Sequence, residues 1–198
     1  MKKIRDHYSR QARQDNYPAR SVYKLKEMDR CFSLLRPGQK VLDLGASPGS
    51  WCSFAAQKVQ SRGFVLAVDL KEPTLSFPQH VVFIQGDIIN DNAAREQVRD
   101  FAPFDLVLSD MAPKTTGIKI TDQARSHELA REAFDLAREM LGPGGSMVVK
   151  IFEGPDVQEL GREMKACFKR VKHFKPKSSR AESKEIFLVG MELVKEEV

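Results

Sequence analysis

The chain has 198 residues, 41% hydrophobic and 30% charged, with a formal net charge of +5, which suits one globular domain, residues 1–198, with a sizeable core. No apolar run reaches the roughly 20 residues of a membrane span, and Met1-Lys-Lys-Ile-Arg-Asp-His-Tyr8 lacks the apolar stretch of a signal peptide. Three widely spaced cysteines, Cys31, Cys52 and Cys167, exclude a disulfide framework and a metal-binding pair, so a reduced, cytoplasmic monomer that touches no membrane is expected.

The chain opens on a basic segment: residues 1–30 carry nine Lys/Arg against four Asp/Glu. A helix is expected from about Pro18, with the proline in its first turn, to Leu35, where Arg36-Pro-Gly38 stops it. Lys40–Leu44 reads as a strand, Gly45–Ser50 as a turn, and Trp51–Val59 as a helix. Strands follow at Phe64–Val68 and Val81–Ile84, then a helix near Asn92–Phe101 and a strand at Phe104–Ser109. Ala130, Ala133, Phe134, Ala137 and Leu141 line one face of a long helix predicted over Thr121–Leu141, ended by Gly142-Pro-Gly-Gly145. A strand at Ser146–Lys150, a helix near Pro155–Cys167 and two closing strands, the last at Glu185–Met191, complete the chain. Strands alternating with helices argue an α/β fold, a doubly wound and mostly parallel sheet.

A second basic run, nine Lys/Arg against two Asp/Glu, fills residues 162–184, whereas residues 31–161 carry thirteen against seventeen. Two basic segments bracketing a near-neutral middle are the electrostatic footprint of a polyanion-binding face. Lys3, Arg5, Arg10 and Arg20 are its candidate phosphate contacts. His7, Tyr8 and Tyr17 among them can stack on bases or pack against the core.

Val41-Leu-Asp-Leu-Gly45-Ala-Ser-Pro-Gly49-Ser-Trp51 is a strand running through a glycine turn into a helix. Glycines let a ligand approach the backbone, and a helix N-terminus offers free N–H groups to an anion. Glycines at 45 and 49 fit neither the dinucleotide fingerprint nor the triphosphate loop. Asp69 closes the second strand, where an acid binds ribose hydroxyls, and Asp87, after the third, is placed to read an adenine amino group. A cofactor site of Gly45, Ser47, Pro48, Gly49, Trp51, Asp69 and Asp87 therefore suits S-adenosylmethionine, with the backbone of Trp51 rather than its indole lining the pocket.

Asp110 and Lys150 each end a strand-like run, and ligands bind at the carboxyl ends of such strands. Glu185 begins the last one; if that strand runs antiparallel, Glu185 reaches the same rim, where Lys24 makes a fourth charged group. A hydroxyl is a poor nucleophile and needs in-line positioning with a base or orienting group, and a lysine serves as base when burial or a neighbouring cation lowers its pKa. Lys150 is expected in that role, Asp110 holding it and touching the cofactor, Lys24 and Glu185 positioning the substrate.

Leu42-Asp-Leu-Gly-Ala-Ser-Pro-Gly49, Leu108-Ser-Asp-Met-Ala-Pro113 and Val148-Val-Lys-Ile-Phe152 are specific enough that the chain resembles the FtsJ/RrmJ-type ribosomal RNA ribose 2′-O-methyltransferases, from Ala19 to Phe187. The resemblance implies a Rossmann-like methyltransferase fold with seven strands, the last antiparallel. It implies a catalytic tetrad of Lys24, Asp110, Lys150 and Glu185, and cofactor contacts at Gly49, Trp51, Asp69, Asp87 and Asp110. It points to a uridine of large-subunit (23S) ribosomal RNA, within the large subunit, although similar enzymes act on transfer RNA or messenger caps. Ser50 stands where relatives often carry glycine, a departure expected to leave the loop working. Glu182 is a second carboxylate near Glu185, but the motif selects Glu185.

Base N-methylation would want Asn/Asp-Pro-Pro-Tyr/Phe where this chain has Asp110-Met-Ala-Pro113, and cytosine C5 chemistry a Pro-Cys pair that is absent. The dispersed His7, His80, His127 and His173 indicate no metal site. A non-catalytic ribosome-assembly factor on the same fold is the alternative from another class, and the four matched charged positions argue against it.

Overall fold

The computed structural model describes residues 2–194, with side chains from His7 onward. Its elements are α1 (Lys2–Gln14), α2 (Val22–Phe32), β1 (Lys40–Leu44), α3 (Ser50–Val59), β2 (Phe64–Asp69), β3 (Val81–Gln85), α4 (Asn92–Arg99), β4 (Phe104–Ser109), α5 (Lys119–Met140), β5 (Leu141–Phe152), α6 (Asp156–Cys167), β6 (Phe168–Phe174) and β7 (Glu185–Leu193). The strands form one seven-stranded sheet in the order β3-β2-β1-β4-β5-β7-β6. Pairing is parallel from β3 through β5, and β7 runs antiparallel to both β5 and β6. The mostly parallel sheet with its reversed last strand is the arrangement expected from sequence.

Both faces are covered, so the central strands read as near-continuous apolar runs. One face packs on α4, α5 and α6 through Val98, Ala133, Phe134, Ala137, Leu160 and Met164. The other packs on α1, α2 and α3 through Ala12, Leu25, Met28, Trp51 and Ala55. In α5 the buried Ala130, Ala133, Phe134, Ala137 and Met140 recur every three or four residues, one face of a helix.

Three boundaries differ from the sequence reading. The basic N-terminal segment is itself a helix, α1, which the turn at Asn16 (φ +59°) separates from α2. Helix α2 begins after Ser21, so Pro18 lies in the preceding turn, and it ends at Ser33 (φ +53°) instead of Leu35. Asp29 enforces that stop, because its carboxylate accepts the Leu35 N–H at 2.8 Å. Gly142–Gly145, expected to be a helix stop alone, falls inside β5: Leu141 already pairs with Phe104 before the register shifts to Leu106 and Ser146. A bulge absorbs the irregular Gly-Pro-Gly-Gly stretch without ending the strand. No described helix is long and apolar enough to cross a membrane.

Candidate active site at the carboxyl rim

Asp110 follows β4, Lys150 lies near the carboxyl end of β5, and Glu185 starts β7. Lys150 faces Phe187 and Phe152 faces Glu185 across the antiparallel pair, so the reversed strand delivers Glu185 to the rim where its parallel neighbours end. Lys24 comes from α2. The four side chains form two ion pairs: Lys150 Nζ lies 2.9 Å from Asp110 Oδ1, and Lys24 Nζ lies 2.7 Å from Glu185 Oε1. The Lys150 ammonium also donates to the Asp110 carbonyl. Lys24 stands 5.8 Å from the ring centroid of Phe187, the cross-strand partner of Lys150, which places the two pairs side by side. Lys150 is 6% exposed and Asp110 17%. Charges this buried are worth little net stability, while removing one partner strands the other.

Lys24 and Glu185 are fixed by a shell that sequence reasoning did not identify. Ser50 exchanges two hydrogen bonds with Ala19: its Oγ accepts the Ala19 N–H at 2.8 Å and donates to the Ala19 carbonyl at 3.1 Å. Trp51 Nε1 donates to the Ser21 carbonyl at 2.8 Å, and its ring packs 5.8 Å from Phe187. The start of α3 thus pins the segment leading to Lys24. Opposite it, Glu27 accepts the Lys177 and Ser178 N–H groups, and Arg20 donates to the Ser178 carbonyl at 2.6 Å. Ser179 Oγ donates to Glu185 Oε1 at 3.0 Å. Ser50, expected to be a neutral departure, is 1% exposed and acts as a latch.

The glycine loop has the expected geometry. Gly45 (φ +76°) and Gly49 (φ +111°) both take left-handed backbone conformations. The close neighbour of Gly45 is protein: a Cβ there would lie 2.9 Å from the Met111 side chain and 3.1 Å from its backbone. Gly49 leads into α3 with no side chain capping its first turn, which leaves backbone N–H groups for an anionic end of a ligand. Asp69 at the end of β2 accepts the Ser47 N–H at 2.9 Å and the Lys71 N–H at 2.9 Å, joining the loop to the second strand. Thr74 reaches back to the Pro48 carbonyl at 3.2 Å. Asp87 organises its own turn, accepting from Ile89 N–H, Asn90 N–H and the Asn90 side chain, and the Asn90 amide holds its carboxyl below the usual range. Glycines, an open helix start and acids at adjacent strand ends fit a nucleoside carrying ribose hydroxyls and an amino-acid carboxylate. Trp51 contributes its indole to the fold, consistent with only its backbone facing a ligand.

Beneath this loop lies Asp43, which the sequence reading did not single out. It is fully buried, neither oxygen has a well-formed hydrogen bond, and burial, then the Asp110 and Asp69 carboxylates, raise its pKa to about 8. The Cys52 backbone N–H is the one group that pulls the value down. Burial and Asp43 in turn push the Cys52 thiol up, away from the thiolate that nucleophilic chemistry requires. An acid within an otherwise apolar strand, between Leu42 and Leu44, is itself the signal that could have found it.

The basic segments adjoin one another: Glu27 holds residues 177 and 178, and Phe32 meets Phe174 edge-on at 5.5 Å. Arg10 is exposed on α1, while Arg20 is half-buried, lies 5.3 Å over the Tyr8 ring and is bound to Ser178. Lys3 and Arg5 lie on α1, but their side chains fall outside the described residues. Tyr17 is buried, donating to Gln57 at 2.8 Å, which settles it as a packing residue.

A sequence model of the FtsJ-like methyltransferase family matches residues 17–193. A Nitratidesulfovibrio vulgaris protein named ribosomal RNA large subunit methyltransferase E is 60% identical, over 96% of this chain and 93% of its own length. A protein of the same name from Syntrophobacter fumaroxidans is 47% identical over 97% and 98%. The crystal structure of a Plasmodium falciparum protein described as a ribosomal RNA methyltransferase superposes with a TM-score of 0.78 at 29% identity, covering 89% of this chain and 98% of that one. With a family match running from before Lys24 to beyond Glu185, the chain belongs to the FtsJ-like methyltransferases.

Proposed function

We propose that this protein methylates the 2′-hydroxyl of a ribose, a uridine's, in large-subunit ribosomal RNA, using S-adenosylmethionine. The observation that carries the reading is the pair of ion pairs, Lys150–Asp110 and Lys24–Glu185, set side by side at the rim next to the glycine loop. Near-complete relatives bearing the large-subunit methyltransferase name support the ribosomal target. The enzyme acts as a cytoplasmic monomer, residues 1–198 forming one catalytic domain, and the basic faces of residues 1–30 and 162–184 meet the RNA backbone.

When bound, the cofactor supplies an electrophilic methyl group on a sulfonium. Gly45, Ser47, Pro48, Gly49 and the Trp51 backbone hold its amino-acid end, Asp69 its ribose and Asp87 its base. Lys150 meets the ribose hydroxyl. As a neutral amine it would take the hydroxyl proton; as an ammonium it would hold the oxygen in line, and the proton would leave to water. Asp110 sets the direction of Lys150 through its carboxylate and carbonyl. Lys24 and Glu185 place the ribose and its phosphate.

Positioned acid–base groups contribute about 10²–10⁴-fold in rate, so Lys150→Ala should lose at least about 100-fold in single-turnover transfer of labelled methyl to large-subunit RNA or subunits, with cofactor affinity little changed. A folded Lys150→Ala variant transferring methyl at near the unmodified rate would overturn the tetrad.

A further inference from the structure

Between β4 and α5, residues 111–118 form a loop that the tetrad does not use. At its base, Met111 packs against Gly45 of the cofactor loop. At its tip one carboxylate fixes the backbone: Asp122 accepts the Thr116 N–H at 2.7 Å, the Thr116 hydroxyl at 2.9 Å and the Gly117 N–H at 3.1 Å. The Ile118 N–H donates to Thr116 Oγ1 at 3.2 Å, and the Gln123 side chain donates to the Glu153 carbonyl just past β5. The loop is therefore braced between the ends of the two strands that carry Asp110 and Lys150.

This braced loop points apolar groups at solvent. Ile118 is 63% exposed and Ile120 78%, two of the four large hydrophobics so exposed among the described residues. Lys114, Lys119 and Arg125 are exposed around them, and the segment's one carboxylate, Asp122, is already engaged by backbone. A single exposed isoleucine means little; Ile118 at the end of the loop and Ile120 in the first turn of α5, ringed by cations beside the rim, point to a partner. Two isoleucines are far short of the roughly 800 Å² per side of a stable protein interface. The surrounding cations select a polyanion.

We infer that Ile118 and Ile120 form an apolar wedge that packs against the bases flanking the target nucleotide of the RNA substrate, with Lys114, Lys119 and Arg125 on the adjoining phosphates. The inference rests on the RNA methylation reading above. A nucleotide turned out of its stack to seat its 2′-hydroxyl on a rim lysine leaves a gap, and apolar side chains entering a base step replace the lost stacking. Phosphate contacts supply affinity and register without holding a base. The brace through Asp122 keeps the isoleucines ready before RNA arrives.

The test uses the full chain and a large-subunit RNA fragment carrying 2-aminopurine beside the methylated nucleotide, mapped first with the unmodified protein. Ile118→Ser/Ile120→Ser should raise the half-saturating RNA concentration tenfold or more, the scale of one lost base stack. It should abolish the fluorescence rise on binding and leave cofactor affinity unchanged by calorimetry. Lys114→Gln/Lys119→Gln should flatten the salt dependence of RNA binding by about 0.7 in slope per lost single-strand phosphate contact while keeping the fluorescence rise. Saturation at the unmodified RNA concentration, a persisting fluorescence rise, or a change in sedimentation showing that the isoleucines hold two protein copies together would each overturn the wedge. An unmodified protein that transfers no methyl to any RNA defeats the function reading instead, and the half-saturating RNA concentration of Ile118→Ser/Ile120→Ser against that of the unmodified protein still reports on the wedge.

Discussion

Asp43→Asn isolates the one carboxylate, among the described residues, with both oxygens buried and without a well-formed hydrogen bond. A carboxyl whose pKa rises from 3.8 to about 8 is shifted by about 4 units, and at about 1.4 kcal/mol per unit the coupling is at most about 6 kcal/mol. Relaxation and water entry reduce this, so about 2–4 kcal/mol is the expected scale. The sign follows from proton counting. Between pH 4 and 8 the folded state keeps the proton and the unfolded state has lost it, so stability falls as pH rises through that window and levels off above it. Asparagine is nearly isosteric and does not titrate. Urea unfolding followed by the fluorescence of Trp51, the sole tryptophan and 3% exposed, should be measured for both proteins at pH 5, 7 and 9. The stability of the unmodified protein relative to the variant should drop by about 2–4 kcal/mol from pH 5 to 9, most of it before pH 8. A difference that stays constant within about 0.5 kcal/mol would refute the reasoning, because Asp43 would then be ionised throughout.

Ser50→Ala removes both bonds to Ala19, should cost about 1–3 kcal/mol in unfolding free energy, and should slow single-turnover transfer more than it weakens cofactor binding, since the displaced segment carries Lys24. Asp69→Asn should weaken cofactor binding in calorimetry by about tenfold, as a charge-assisted hydrogen bond is lost. Tight binding of a nicotinamide dinucleotide in place of S-adenosylmethionine would remove the basis for that expectation.

The sheet was legible because buried parallel strands are short apolar runs between helices of regular period, and strand ends are where polar residues such as Asp110 and Lys150 must surface. Glu185 was placed correctly because reversing one strand is enough to move its start to the common rim. What escaped was set by contacts between segments distant in sequence. Ser50 looks like a loop residue until Ala19 is beside it, and the bond from the Trp51 indole to the Ser21 carbonyl joins residues thirty apart that no local pattern pairs. Helix α1 was missed because its residues are mostly polar and charged, and its apolar stripe, Ile4, Tyr8 and Ala12 at four-residue spacing, is narrow enough to be hidden among the basic residues. The Gly-Pro-Gly-Gly start of β5 was read by its breakers, and the long-range pairing of Leu141 with Phe104 overrode them.

Strand β7 is the last described strand in the chain yet occupies an interior place in the sheet, between β5 and β6. Among the described residues strand β6 pairs with β7 alone, so it has nothing to join until β7 has been made. During synthesis, then, the nascent chain holds an open gap beside β5 until residues 185–193 emerge, and Lys24 and Lys150 wait without Glu185. Inserting one strand closes the sheet and completes the charge cluster in the same event. Chains cut short before that point, whether by stalled translation or by proteolysis, would carry the glycine loop but lack the acid paired with Lys24.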